Sequence, residues 1–158
     1  MLGKIGSICT TDQKHKDFGK INVHWYYYKN ELDFEALKMK DKEIDSIAEG
    51  VEVFLTNHAD KVWVQSINGK AQVLTLDEFD ALDTAPVNTF YSRAEYDINK
   101  KCLKPPFEKW GNRACSCKMP TNPLQQYIGC DACDKWFHPD CEGVKADVEN
   151  FICSECKS

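Results

Sequence analysis

A mainly β protein with short helices is what this sequence predicts, arranged as a small barrel-like domain followed by a metal-stapled module. Three observations carry that reading. Up to about position 104, short runs rich in Val, Ile, Tyr, Phe and Trp alternate with turn residues, the pattern of strands in a small sheet or barrel. Lys104-Pro105-Pro106-Phe107-Glu108-Lys109 then reads as an extended connector, because proline fixes its own φ and pushes the preceding residue away from helix. Beyond it lie seven of the nine cysteines, all after position 114.

Strands are expected over 4–10, 20–28, 51–57, 61–67, 70–75 and 87–93. Between Ile67 and Lys70, Asn68-Gly69 has the two residues that best tolerate positive φ, so a type I′ hairpin is expected there. Glu31 to Lys42 reads as a helix and Leu76 to Leu82 as a shorter one. In the strand at 20–28 a period of two puts Trp25 and Tyr27 on one face and His24, Tyr26 and Tyr28 on the other. Trp63 reads as core and His15 as a loop residue, while Cys9 and Cys102 read as small buried hydrophobes.

The module at the end contains Cys115-x-Cys117, Cys130-x2-Cys133, His138-x2-Cys141 and Cys153-x2-Cys156. One tetrahedral zinc takes four such ligands, so eight imply two ions, and a set filled by protein leaves no open position for catalysis. Two structural zinc ions are therefore expected, with metal binding supplying much of the folding energy of so short a segment. A disulfide framework would suit a small secreted domain, but the chain begins Met-Leu-Gly-Lys-Ile with no apolar signal core, and a soluble, intracellular protein is expected. No stretch approaches the roughly 20 apolar residues of a membrane span. The formal charge of -5, lowered by seven thiolates and raised by two dications, becomes about -8. That balance argues against general DNA binding and suits a basic peptide.

The ligand order, four cysteines, one histidine and three cysteines, resembles the PHD finger. RING fingers place histidine fourth, and a lipid-binding FYVE finger would cluster basic residues that here are scattered as Arg113, Lys118 and Lys135. The resemblance implies cross-bracing: Cys115, Cys117, His138 and Cys141 hold one zinc, and Cys130, Cys133, Cys153 and Cys156 the other. Upstream, Val23-His24-Trp25-Tyr26-Tyr27, Glu52 to Asp60, Ser66 to Lys70, Val73-Leu74, Asn88 to Arg93 and Glu95-Tyr96-Asp97 occur in the order found in the BAH domain, a β-rich chromatin module. The whole chain is similar to plant BAH-PHD histone readers, with domains expected at 1–104 and 114–158, a linker at 105–113, and a first strand that is trimmed.

The resemblance implies a nuclear, non-enzymatic chromatin reader with the histone H3 tail, the nucleosome and other chromatin-complex proteins as partners. A methylated ammonium is recognised by aromatic faces, whose quadrupole attracts cations. Tyr127 and Trp136 match cage walls of methyl-lysine-reading PHD fingers, Met119 would close a third side, and Ala114 and Thr121 stand where the fullest cages carry further aromatics. Two walls worth roughly 0.5 to 2 kcal/mol each imply micromolar or weaker affinity. The segment from Gln125 to Gly129, Ile128 included, would offer a strand edge that pairs with the tail by β-augmentation, with Asp131 holding its second residue, an arginine, and carbonyls near Glu142-Gly143-Val144 gripping its amino terminus. Di- or trimethylated lysine four of H3 is the expected mark. In the first domain, Trp25 and Tyr27 match BAH cage positions, with polar help from His58 or Glu31. The alternative for Trp136 and Tyr127 is that they only fill the finger's core; the competing functions are a non-enzymatic scaffold, whose barrel docks another protein while the finger serves as a rigid cap, and a ubiquitin-ligase component, which the ligand order disfavours.

Overall fold

The computed structural model describes residues 1–111, 113 and 115–158, so Ala114 lies outside the described residues. Two compact units emerge, Met1–Met39 with Glu49–Lys109, and Lys40–Ala48 with Trp110–Ser158. The second unit thus takes in nine residues that the sequence places deep inside the first domain.

In the first unit β1 (Leu2–Ile8), β2 (Lys20–Tyr28) and β3 (Val53–Trp63) form an antiparallel run. β6 (Glu95–Asp97) joins β3 in parallel and β7 (Cys102–Lys104) closes the sheet, giving the order β1-β2-β3-β6-β7. A second ladder pairs β4 (Gln72–Leu74) with β5 (Thr89–Tyr91), again in parallel. Ile21 and Val23 alternate into the core along β2, Val53 and Phe54, neighbours on opposite faces of β3, are both buried, and Tyr91 and Tyr96 are buried as well.

That core is pinned by a buried ion pair. Glu52 is 0% exposed, and Arg93 donates from Nε to its Oε1 at 2.7 Å and from Nη2 to Oε2 at 3.0 Å. The Tyr91 hydroxyl donates to the same Oε2 at 2.7 Å. At the surface, Asp97 gathers Asn57, Asn99, Lys100 and Lys104, the Lys100 N–H first among them, and its carboxyl is held down to about 2.

Several sequence expectations need correction. The stretches 51–57 and 61–67 are not separate strands: one strand, β3, runs unbroken from Val53 through Ala59 and Asp60 to Trp63, paired with β2 from Lys20↔Trp63 to Tyr28↔Val53, and the expected strand beyond Trp63 is absent. No hairpin forms at Asn68-Gly69: neither residue has positive φ, a 3-10 turn at Val64–Ser66 follows β3, and β4 takes β5 as its partner. The helix expected over Glu31 to Lys42 is broken into α1 (Phe34–Leu37), capped by Asp33, and α2 (Asp41–Asp45). Lys38 at φ 55° ends α1 in the left-handed region, and Glu43 closes the start of α2 through the Lys40 N–H. The shorter helix is present as α3 (Leu76–Asp80), with Thr75 and Glu78 forming a reciprocal cap.

The second unit holds β8 (Ile128–Gly129) paired with β9 (Trp136–Phe137), then α4 (Pro139–Glu142) and α5 (Ser154–Lys157). Its core is Ile128, Phe137 and Phe151 with Cys115, Cys130 and Cys153. Half of those buried residues are sulfur ligands, which is why metal and core cannot be separated in this unit.

Candidate functional site

The eight ligands converge as two tetrads, Cys115, Cys117, His138 and Cys141, and Cys130, Cys133, Cys153 and Cys156, with the ligand atoms of each within 4.8 Å of one another. His138 Nδ1 lies 3.3 Å from Cys115 Sγ, 3.5 Å from Cys117 Sγ and 3.9 Å from Cys141 Sγ, while Cys133 and Cys153 sulfurs are 3.9 Å apart. A zinc with bonds near 2.0 and 2.3 Å needs tetrahedral edges of roughly 3.5 to 3.8 Å, so the donor set and its spacing fit the ion. His138 Nε2 faces Gln125 Oε1 at 2.9 Å; donating there fixes the tautomer that leaves Nδ1 as the ligand.

Protonation shows why the cation is required. The Cys153 N–H, 3.2 Å from Cys130 Sγ, holds that thiol down to about 6. Burial opposes ionisation of Cys115, yet the N–H groups of Cys117 and His138 outweigh it and bring the thiol down to about 6. Cys141 is pushed up to about 12 by burial and by Cys115, and Cys156 to about 12 by Cys153 and Cys133. Crowded thiols cannot all ionise together without a dication among them.

One face of the finger is left open. Trp136 is 60% exposed although it sits on an ordered strand, and it pairs directly with Gly129. A Cβ built on Gly129 would meet the Trp136 ring at 3.8 Å, so the indole lies over the glycine. Tyr127, two residues before Gly129, is half-buried, its ring against His138 at 4.5 Å and its hydroxyl accepting the Asn122 N–H at 2.9 Å. Met119 is half-buried, and the Ile128 side chain belongs to the core.

The first unit has its own aromatic cluster. Tyr27 OH is 3.0 Å from His58 Nδ1, with the rings edge to face at 5.9 Å. Trp25 Nε1 donates to Asp60 Oδ2 at 2.7 Å, and His58 Nε2 approaches the same oxygen at 3.4 Å. Gly3 lies opposite Trp25 on β1, and a Cβ there would sit 2.4 Å from Val23 Cγ1 and 3.1 Å from the indole. Only a residue without a side chain lets the Trp25 ring lie against β1.

The BAH domain family model matches residues 1–106, and the PHD-finger model matches residues 115–156. The chain belongs to the BAH domain family, with a PHD finger behind that domain. It is similar to two Arabidopsis thaliana proteins, the chromatin remodeling protein SHL, 30% identical over 87% of this chain, and the chromatin remodeling protein EBS, 28% identical over 88%. The matches cover 57% and 56% of those proteins, so the chain spans a little over half the length of the curated relatives it matches. The finger is also similar to part of the nucleosome-remodeling factor subunit NURF301 of Drosophila melanogaster, 38% identical over 27% of this chain and 2% of that protein. The PHD finger and its two tetrads take two structural zinc ions, cross-braced as the ligand order implies.

Around the PHD finger, the structure gives further work to residues expected at a tail. Asp131 accepts the Phe151 N–H on Oδ2 at 2.8 Å while its own N–H donates to Phe151 O at 2.8 Å, so its carboxylate fastens the C-terminal segment and remains exposed. Gly143, at φ 66°, ends α4, and Glu142 accepts the Ser154 N–H at 3.0 Å. In the BAH domain Glu31 closes the 3-10 turn after β2 by accepting the Tyr28 N–H at 2.9 Å, whereas Trp25, Tyr27 and His58 come together as a group. Asp60, Gly3, Gln125 and Asn122 went unnoticed in the sequence. Asp60 was detectable, since a period of two from His58 places it on the same face.

Among the described residues no helix is long and apolar enough to cross a membrane.

Proposed function

We propose that this protein is a chromatin reader whose PHD finger recognises di- or trimethylated lysine four of histone H3, with the BAH domain making a second histone or nucleosome contact. The observation that carries the reading is Trp136, 60% exposed on a zinc-braced strand and paired with Gly129, two residues after Tyr127. An exposed aromatic face attracts cations through its quadrupole, and a methylated ammonium is a ligand of that kind. The open edge of β8 suits an extended tail, which would add a third strand and run past the indole.

Supporting this, the relatives that match most of the chain are named chromatin remodeling proteins, which also supports a nuclear location and chromatin-complex partners. The activity proposed is binding rather than catalysis, consistent with tetrads whose four positions are all protein ligands. In the BAH domain Trp25 and Tyr27 offer aromatic walls, and Asp60 and His58 place polar groups beside them, the set that a methylated lysine farther along the tail would need. Calorimetric titration of the zinc-loaded chain with H3 peptides, unmodified and trimethylated at lysine four, tests the reading. A preference for the methylated peptide that Trp136→Ala abolishes supports it; equal affinity for both peptides refutes it and leaves a scaffold.

A further inference from the structure

Lys40–Ala48 lies inside the span matched by the BAH family, yet it packs in the same compact unit as the finger. Its last residues are deeply covered, with Ser46, Ile47 and Ala48 at 2%, 1% and 0% exposure. One finger residue joins this segment to the reading face. Asn122, 5% exposed, donates from Nδ2 to the Asp45 carbonyl at 3.0 Å, a link across 77 positions of sequence. Its Oδ1 accepts the Leu124 N–H at 3.0 Å, and its backbone N–H donates to the Tyr127 hydroxyl at 2.9 Å.

Tyr127 is consequently fixed at both ends. Its ring lies on a zinc ligand, His138, and its hydroxyl is held by a backbone N–H whose residue is anchored to Asp45. A cage wall works only if its face is held at the right angle before the cation arrives, since freezing it on binding would cost affinity. The His138 contact sets the plane, and the Asn122 bond sets the rotation within it.

We propose that Asn122 is a positioning residue for methyl-lysine selectivity, acting through Tyr127, and that Lys40–Ala48, contributed from within the BAH sequence, is the support on which it stands. The inference rests on the reading of Tyr127 as a cage wall. It makes the finger's selectivity depend on residues far outside the span that the PHD family matches.

The test uses the full, zinc-loaded chain. Asn122→Asp keeps the acceptor for Leu124 but turns the amide donor into a carboxylate facing the Asp45 carbonyl. Affinity for the H3 peptide trimethylated at lysine four is expected to fall about 3- to 10-fold. Affinity for the unmodified peptide and the zinc content should stay unchanged, a split that a general loss of folding would not produce. Tyr127→Phe should give the same loss, and the double variant no more than either alone. Additive losses, or an unchanged ratio of the two affinities in Asn122→Asp, overturn the proposal.

Hydrogen exchange supplies an arm that needs no peptide. Chelating the zinc should speed exchange at the Ile44, Ser46 and Ile47 amides while those of β3 stay protected; unchanged exchange at the three amides overturns the role of the segment. A wild-type chain blind to methylation overturns the cage reading and the role of Asn122 with it, and zinc-dependent protection of Ile44 to Ala48 would identify that outcome as a failure of the reading rather than of the packing.

Discussion

Replacing Arg93 by Met removes a guanidinium from a carboxylate that has no access to water. Glu52 is 0% exposed and receives two N–H groups from Arg93, at 2.7 and 3.0 Å, besides the Tyr91 hydroxyl at 2.7 Å. Met keeps much of the arginine stem, so the change isolates the charge. Breaking a buried pair from one side costs about 3–5 kcal/mol because the remaining ion is stranded, whereas Tyr91→Phe, which removes one hydrogen bond to a charged group, should cost about 1.5–3 kcal/mol. With urea slopes of about 1–3 kcal/mol per molar, the Arg93→Met midpoint should drop by about 1 M or more. Glu52→Leu combined with Arg93→Met should recover part of the loss, since no charge is then stranded and the remaining cost is that of taking the Glu52 acceptor from the buried Tyr91 hydroxyl. The assay is urea unfolding followed by far-UV circular dichroism, with zinc present throughout. A loss below about 1 kcal/mol in the single variant, or a double variant weaker than Arg93→Met alone, would refute the reasoning.

Other outcomes follow from separate parts of the molecule. Chelating zinc should unfold the second unit while the five-stranded sheet persists, seen by NMR as loss of dispersion confined to the finger and Lys40–Ala48. Acidification should release the metal as thiolates take up protons, so zinc affinity should fall with pH in a competition titration against a chromophoric chelator. Asp17 is held down to about 2 from its ordinary 3.8, chiefly by Lys61 and then by Lys20. Its contribution is therefore complete above about pH 4 and lost as pH falls toward 2, and Asp17→Asn should flatten stability over that window in urea melts at stepped pH. Gly3→Ala should move the Trp25 indole, because the new Cβ would stand 2.4 Å from Val23 and 3.1 Å from the ring; unchanged Trp25 indole shifts by NMR would contradict it.

The finger was the more legible part of the sequence. Metal spacing is local, and each pair of ligands declares itself within four residues, so all eight ligands were legible directly, while their division into two tetrads came from the resemblance to the PHD finger. The first domain was harder, because its strands find partners that local signals do not encode. Asn68-Gly69 has the chemistry of a hairpin, yet β4 pairs in parallel with β5, and no turn preference can compete with a ladder already formed elsewhere. The break at Lys38 is likewise silent, since lysine is an ordinary helix former and the left-handed residue is imposed by the fold. Least visible was Asn122, whose partner Asp45 offers only a backbone carbonyl and so leaves no trace in side-chain chemistry.

Titrating the zinc-loaded chain by calorimetry, with H3 amino-terminal peptides unmodified, trimethylated at lysine four, or methylated at lysines farther along the tail, tests the central claim most directly. The account predicts micromolar or weaker binding that favours trimethylated lysine four and disappears in Trp136→Ala. Binding that ignores methylation at lysine four, or that survives the loss of the indole, would contradict it.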